Sequence, residues 1–223
     1  MKGAKRSFVV VGTKATASPS FSLSDLPGTS GRLDVLLRCA RAALLVSHGI
    51  RRDTCVYLLL LGGELAPRVI RIDGAAVRFI RPDERTLGVL AQKALARAPV
   101  DSDVGVFVEI RAGLAAARGG ADVVIADLER RGAFVPVVLD EDAPDLRTLA
   151  IDGASHVAVF VGDHFGFDDV SRTHIAALDP IIASVGPVSV HADDAIAILS
   201  NELDRRAVST PAGAAASDAE GSP

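Results

Sequence analysis

Short apolar runs broken by polar, Gly- and Pro-containing stretches dominate this chain, and two periods alternate along it. Residues 6–11 are aromatic and β-branched and stop at Gly12, which predicts a first strand. The next stretch, TKATASPSFSLSDLPGTSG, predicts a long loop. A loop of that length in a compact domain is usually functional or disordered. From Arg32 the period becomes helical, with Leu33, Leu36, Leu37, Ala40 and Leu44 on one face and His48-Gly49 as a stop. Residues 54–61 are apolar throughout, as in a central strand buried on both faces. Residues 69–73 and 77–80, with a glycine between them, predict a hairpin. DERTLGVLAQKALARA predicts a helix with acids at its start and Arg97 near its end, as the helix dipole favours.

The second half alternates more regularly. Strands are predicted at 105–110, 134–139, 156–161 and 181–185, and helices at 121–131, 168–178 and 193–206. Strands alternating with helices imply parallel βαβ units and an α/β fold with a mostly parallel sheet flanked by helices. The expected organisation is one domain over 6–206, followed by a disordered small-residue tail over 207–223.

Composition changes this picture little. Hydrophobic residues make up 49% and charged residues 23% of 223, enough apolar material for a real core. The longest greasy stretch, CVYLLLLGG, is strand-sized, so no membrane span is expected. The apolar run near the N-terminus is too short for a signal peptide, which points to the cytoplasm. Cys39 and Cys55 lack a CxxC spacing and are expected to be reduced and buried, with no metal site.

The distribution of charge is more informative. Residues 1–60 hold nine Lys and Arg against three acids, a net +6, so the remainder carries -10 of the overall -4. A basic N-terminal third on an acidic body is either a footprint for phosphates or a solvated helix face.

In open α/β sheets, ligands bind at the carboxyl ends of strands. Three such ends carry unusual residues: Leu139 before the acidic run DEDAPD, Gly162 in GDHFG, and Val185 at the start of VGPVSVH. If the three strands are neighbours, their loops form one pocket. The chain has no GxGxxG after a strand, no GxxxxGK[ST], no HExxH and no GxSxG. Dinucleotide, P-loop, zincin and hydrolase chemistry are therefore disfavoured.

At this point a resemblance emerges. GRLDVLLRCARAALLVSHGIRRD, PDER, VGDHFGF and SVGPVSVHADDAIAILSNELDRR, in this order, resemble the TrmY-type members of the SPOUT methyltransferases, the tRNA (pseudouridine-54, N1)-methyltransferases of archaea. The Ala- and Arg-rich composition is also compatible with a bacterial relative. The resemblance implies a C-terminal trefoil knot, a homodimer, an RNA substrate, and S-adenosylmethionine held in the knot. It places the cofactor at Leu139, Gly162, Val185, Gly186, Pro187, Val188, Ser189, Val190 and Ala195. The chain departs from the family in two places. Ala195 stands where the family usually has cysteine, and Asp140-Glu141-Asp142-Ala143 where it commonly has His-Glu-Asp-Gly. The alternatives are a SPOUT enzyme with another RNA target and a non-catalytic RNA-binding protein of the same fold.

The implied reaction needs help in removing the N1 proton of pseudouridine, and a carboxylate suits that role. Asp34, and Asp193 or Asp194, are the candidates. Asp34 also fits a first-turn helix acid paired with Arg38, and Asp193 also fits a helix N-cap. Arg32, Arg38, Arg51 and Arg52 are the expected phosphate contacts. Phe165 and Phe167 are the better-placed stacking platforms for a base, and Tyr57 belongs to the core. His164 and His191 are expected near the pocket without a catalytic role.

Overall fold

The computed structural model describes residues 5–98, 101–151 and 155–209. In chain order it runs β1 (Arg6–Thr16), α1 (Leu26–Thr29), α2 (Leu33–Leu44), β2 (Leu45–Val46), β3 (Gly49–Ile50), β4 (Thr54–Gly62), β5 (Arg68–Asp73), α3 (Glu84–Arg97), β6 (Val108–Arg111) and β7 (Leu114–Arg118). It continues with α4 (Ala121–Arg131), β8 (Val135–Leu139), a 3-10 turn (Leu146–Thr148), β9 (Val157–Gly162), α5 (Asp169–Ala176), β10 (Ile181–Ala183) and α6 (Ala192–Ser209). Helix α6 therefore takes in the first residues of the expected tail, and 210–223 lie outside the described residues.

The main sheet has the order β10-β8-β9-β1-β4-β5-β7-β6. The pairs from β10 to β4 are parallel and those from β4 to β6 antiparallel. Alternation along the central strands explains the two layers. Phe8 and Val10 of β1 join Leu58 and Leu60 of β4 under α2, α3 and α6. Val9 and Val11, with Tyr57 and Leu59, face α4 and α5 on the other side. Both faces are covered, so these strands read as continuous apolar runs rather than alternating ones.

One expectation fails in the antiparallel part. Residues 77–80 form no strand, and β5 pairs with β4 and β7 instead. Its partner β7, LAAAR, is rich in alanine, which lacks the β-branched signature of a strand. Strand β1 also runs past Gly12 to Thr16, with a register shift against β4 over that stretch.

The C-terminal region has an unusual arrangement. The carbonyl of Ala183 accepts from the Asp140 N–H (3.0 Å). One residue on, the Ser184 N–H donates to Pro144 (2.9 Å) and its carbonyl accepts from Leu146 (2.8 Å). Successive residues of an extended chain point their polar groups to opposite sides. The chain at 183–184 is thus gripped on both sides by the single connection that leads from β8 to β9. Helix α6 holds the same connection from above: Arg206 Nη2 donates to the Leu146 carbonyl (2.7 Å) and Nη1 to that of Leu149 (2.9 Å).

Candidate functional site

Strands β10, β8 and β9 are neighbours, so Ala183, Leu139 and Gly162 end side by side, with β1 next in line. The three strand ends expected to converge are therefore neighbours along one edge of the sheet.

Gly162 is required there by space. A Cβ on it would lie 2.7 Å from the carbonyl carbon and oxygen of Gly166, which itself has a φ of 75°. The loop between them is fixed by Asp163. Its Oδ2 accepts from the Thr13 N–H (2.7 Å) and hydroxyl (2.9 Å), and its Oδ1 from the Phe165 N–H (2.8 Å). Asp163 thus fastens the end of β9 to that of β1, a role its sequence position did not signal. Phe165 projects half-exposed from this loop, with Lys14 Nζ 4.1 Å from its ring centroid and His164 against it. Phe167 packs instead on the core beneath α4 and α5, so of the two only Phe165 presents an open ring. Tyr57 is buried as expected, its hydroxyl donating to Asp127 (2.8 Å).

The loop from Val185 to Val190 leaves β10 and reaches α6. Among the described residues, none of its backbone N–H or C=O groups bonds to the rest of the chain. A Cβ at Gly186 would meet nothing within 4 Å, and Val188 is 70% exposed. Exposed backbone donors and acceptors beside an open glycine are what a purine and a ribose need, so these residues fit S-adenosylmethionine. Ala195 offers less. Its N–H is taken by the His191 carbonyl (2.9 Å), which leaves only its methyl group to line a pocket. In the acidic loop, the Asp140 side chain accepts from the Asp142 N–H (2.9 Å), making a local turn.

Two of the candidate carboxylates, Asp34 and Asp193, meet at one arginine. Asp34 is buried in the first turn of α2. Arg32 Nε and Nη2 donate to its two oxygens (3.1 and 3.3 Å), and Arg38 Nη1 donates to Oδ2 (3.0 Å). Arg38 also reaches Glu84 of α3 (3.3 Å) and lies 4.0 Å from Asp193 Oδ2 in the first turn of α6. The helical hydrogen bond from Ala195 to His191 places Asp193 inside the helix, so it is not the N-cap. Burial pushes the Asp34 carboxyl up, but hydrogen bonds and charge from Arg32 and Arg38 outweigh it and hold the group below the usual carboxylate range. Arg32 itself sits at φ 70°, a strained backbone for a side chain of its size, directly after Gly31. A Cβ on Gly31 would overlap the Lys14 carbonyl, which brings this corner close to the end of β1.

The four arginines divide. Arg32 is 47% exposed at the side chain and Arg38 32%, so both retain an open side. Arg51 forms a two-pronged pair with Asp204 of α6 (2.9 and 2.7 Å). Arg6 joins the same carboxylate at 2.9 Å. Arg52 Nη1 caps the carbonyls of Gly74 and Val77 (2.9 and 2.7 Å). Arg51 and Arg52 thus have structural partners that a charge count could not reveal. Cys39 and Cys55 are buried and free, and no cluster of metal-ligating side chains occurs among the described residues. No helix among them is long and apolar enough to cross a membrane.

The chain matches the family model described as "Putative SAM-dependent RNA methyltransferase" over residues 5–208. It is 40% identical over 205 residues to the tRNA (pseudouridine(54)-N(1))-methyltransferase of Methanosarcina acetivorans, covering 90% of this chain and 91% of that one. The enzyme of the same name from Halobacterium salinarum is 38% identical over 206 residues, covering 89% and 96%. Among solved structures, Nep1 of Archaeoglobus fulgidus bound to S-adenosylhomocysteine superposes with a TM-score of 0.60. It shares 15% identity and covers 93% of this chain and all of that one, a likeness of fold.

Proposed function

The chain belongs to the SAM-dependent RNA methyltransferase family, and from that premise we propose that it methylates N1 of pseudouridine at position 54 of tRNA. S-adenosylmethionine supplies an electrophilic methyl group on a sulfonium. One observation carries the placement of the site: the free backbone of 185–190 lies at the joint edge of β10, β8 and β9, one helical turn from the Arg38 carboxylate cluster. Leu139, Gly162 and the loop from Val185 to Val190 hold the cofactor by backbone contacts and shape.

The chain's own residues then divide the remaining work. Both oxygens of Asp34 are taken up by Arg32 and Arg38, so Asp34 orients those guanidinium groups. Asp193, at 4.0 Å from Arg38 and 16% exposed at the side chain, keeps an oxygen available. It accepts the N1 proton as the nitrogen becomes nucleophilic. Arg32 and Arg38 meet the RNA phosphates.

The clasp at 183–184 supports a threaded connection, the trefoil knot of the SPOUT fold. Val188, Val190 and Ile198 expose apolar side chains along the cofactor loop and α6. A second copy of the chain that covered them would close the pocket as a homodimer. A tRNA substrate supports a cytoplasmic location.

The test is paired. Calorimetry of the purified protein should show one S-adenosylmethionine site per chain. Methyl transfer should then occur to a tRNA stem-loop carrying pseudouridine and not to its uridine counterpart. Failure of the protein to bind the cofactor, with or without RNA, would overturn the proposal.

A further inference from the structure

A groove of about 830 Å³ opens beside the Arg38 cluster and is not part of the cofactor site described above. Its walls come from the C-terminal half of α2, the β2–β3 hairpin, the segment 78–82 and the first turn of α6. Arg41, Arg52 and Arg78 line it together with Phe79, Asp193 and Asp194. Arg41 and Arg78 are exposed and have no ion pair among the described residues. Arg52 is held in place by the carbonyls of Gly74 and Val77. Phe79 is 58% exposed, an unusual position for a large apolar ring, and the Arg81 guanidinium lies 5.4 Å from its centroid.

We propose that this groove is the path of the RNA strand flanking the target nucleoside. It would take phosphates on Arg41, Arg52 and Arg78 and one unstacked base on Phe79. The inference rests on the RNA methyltransferase reading and adds to it the location of the docked strand and the sides taken by its backbone and base. Charge assigns those sides. Phosphates are repelled by Asp193 and Asp194 and drawn to the arginines, so the backbone follows the guanidinium groups. Asp193, 4.0 Å from Arg38, and Asp194 suit the N–H edge of a base. Single-stranded RNA is read by this pairing of a basic groove with an aromatic face.

Arg41 also sits in the last turn of α2, where a cation suits the helix dipole. That accounts for Arg41 alone and leaves Arg78 and Phe79, which belong to no helix, without a reason to be exposed together. An interface with a second copy of the chain is the competing occupant, and the three guanidinium groups favour an anionic partner over it.

The experiment is a tRNA-binding titration over a salt series, using Arg41→Glu, Arg78→Glu and Phe79→Ala. Arg172→Glu, on α5 across the sheet, serves as the charge control. All four positions are exposed, and circular dichroism confirms folding. Each arginine variant should bind tRNA about tenfold more weakly, with the log–log salt slope reduced by about 1. Phe79→Ala should cost roughly five- to tenfold. Arg172→Glu and cofactor binding without RNA should not change. Wild-type affinity in all three groove variants, with affinity lost in Arg32→Glu, would overturn the groove and leave the enzyme reading intact. A shift of the variants from dimer to monomer in light scattering would reassign the groove to an interface between copies. No tRNA binding by the wild-type protein would remove the reading beneath it.

Discussion

Arg38 and Asp193 stand 4.0 Å apart across the seam between α2 and α6, and the same arginine holds Asp34 at 3.0 Å. One guanidinium therefore links a buried carboxylate that has no free oxygen to a more open one that has. Because Asp193 follows directly on the cofactor loop, Asp193→Asn should lower kcat about 100-fold while leaving S-adenosylmethionine affinity within a factor of two. Single-turnover methylation and calorimetry on the same preparation measure the two quantities. Equal loss in both would place Asp193 in the cofactor pocket rather than at the reacting nitrogen.

Asp34 should behave differently. Removing its charge leaves Arg32 and Arg38 crowded without their counter-ion, which should cost about 2 kcal/mol at neutral pH, between the values for exposed and buried pairs. Arg32 and Arg38 hold the carboxyl in the folded state below its unfolded value of about 3.9. The stabilisation is therefore present above that value and lost as pH falls through the folded one. In urea unfolding, the gap between wild type and Asp34→Asn should be widest near neutral pH and shrink below about pH 4. A gap independent of pH would mean that packing rather than charge holds Asp34.

Asp204 ties the start of β1 and the turn before β4 to α6 through Arg6 and Arg51, both at 2.9 Å. Arg51→Ala should therefore lower stability by about 1–2 kcal/mol and change tRNA affinity by less than about twofold. Chemical denaturation and a binding titration decide the matter. A large loss of RNA affinity in a fully stable Arg51→Ala protein would restore Arg51 as a phosphate contact.

Gly162→Ala introduces a Cβ 2.7 Å from the Gly166 backbone, which cannot yield as a side-chain tip could. The variant should lose about 1–3 kcal/mol of stability and most of its cofactor affinity, because the GDHFG loop must move to admit it. Gly186→Ala, with open space around it, should cost little stability and act mainly on cofactor affinity. Thermal unfolding with and without S-adenosylmethionine separates the two variants.

Physical cause separates what could be read in the chain from what could not. β1 and β4 were legible because both of their faces are buried, so their central stretches, residues 8–11 and 55–61, are unbroken runs without a charged residue. Strand β7 was not, since Ala115, Ala116 and Ala117 carry neither a period nor a β-branched side chain. The three strand ends of the site were legible as unusual loops, and the sheet order made them neighbours. The partners of the arginines were not. Arg51 meets Asp204 across 153 residues of sequence, and no local pattern marks such a pair. Asp163 was hidden for the same reason, since its bond to Thr13 spans 150 residues.

The most direct measurement is mass spectrometry of nucleosides from tRNA incubated with the protein and methyl-labelled S-adenosylmethionine. Two transcripts would be compared, one with pseudouridine and one with uridine at position 54. The account predicts one labelled methyl per tRNA, on N1 of pseudouridine 54, and none on the uridine transcript. Label on another nucleoside, or equal label on both transcripts, would contradict it.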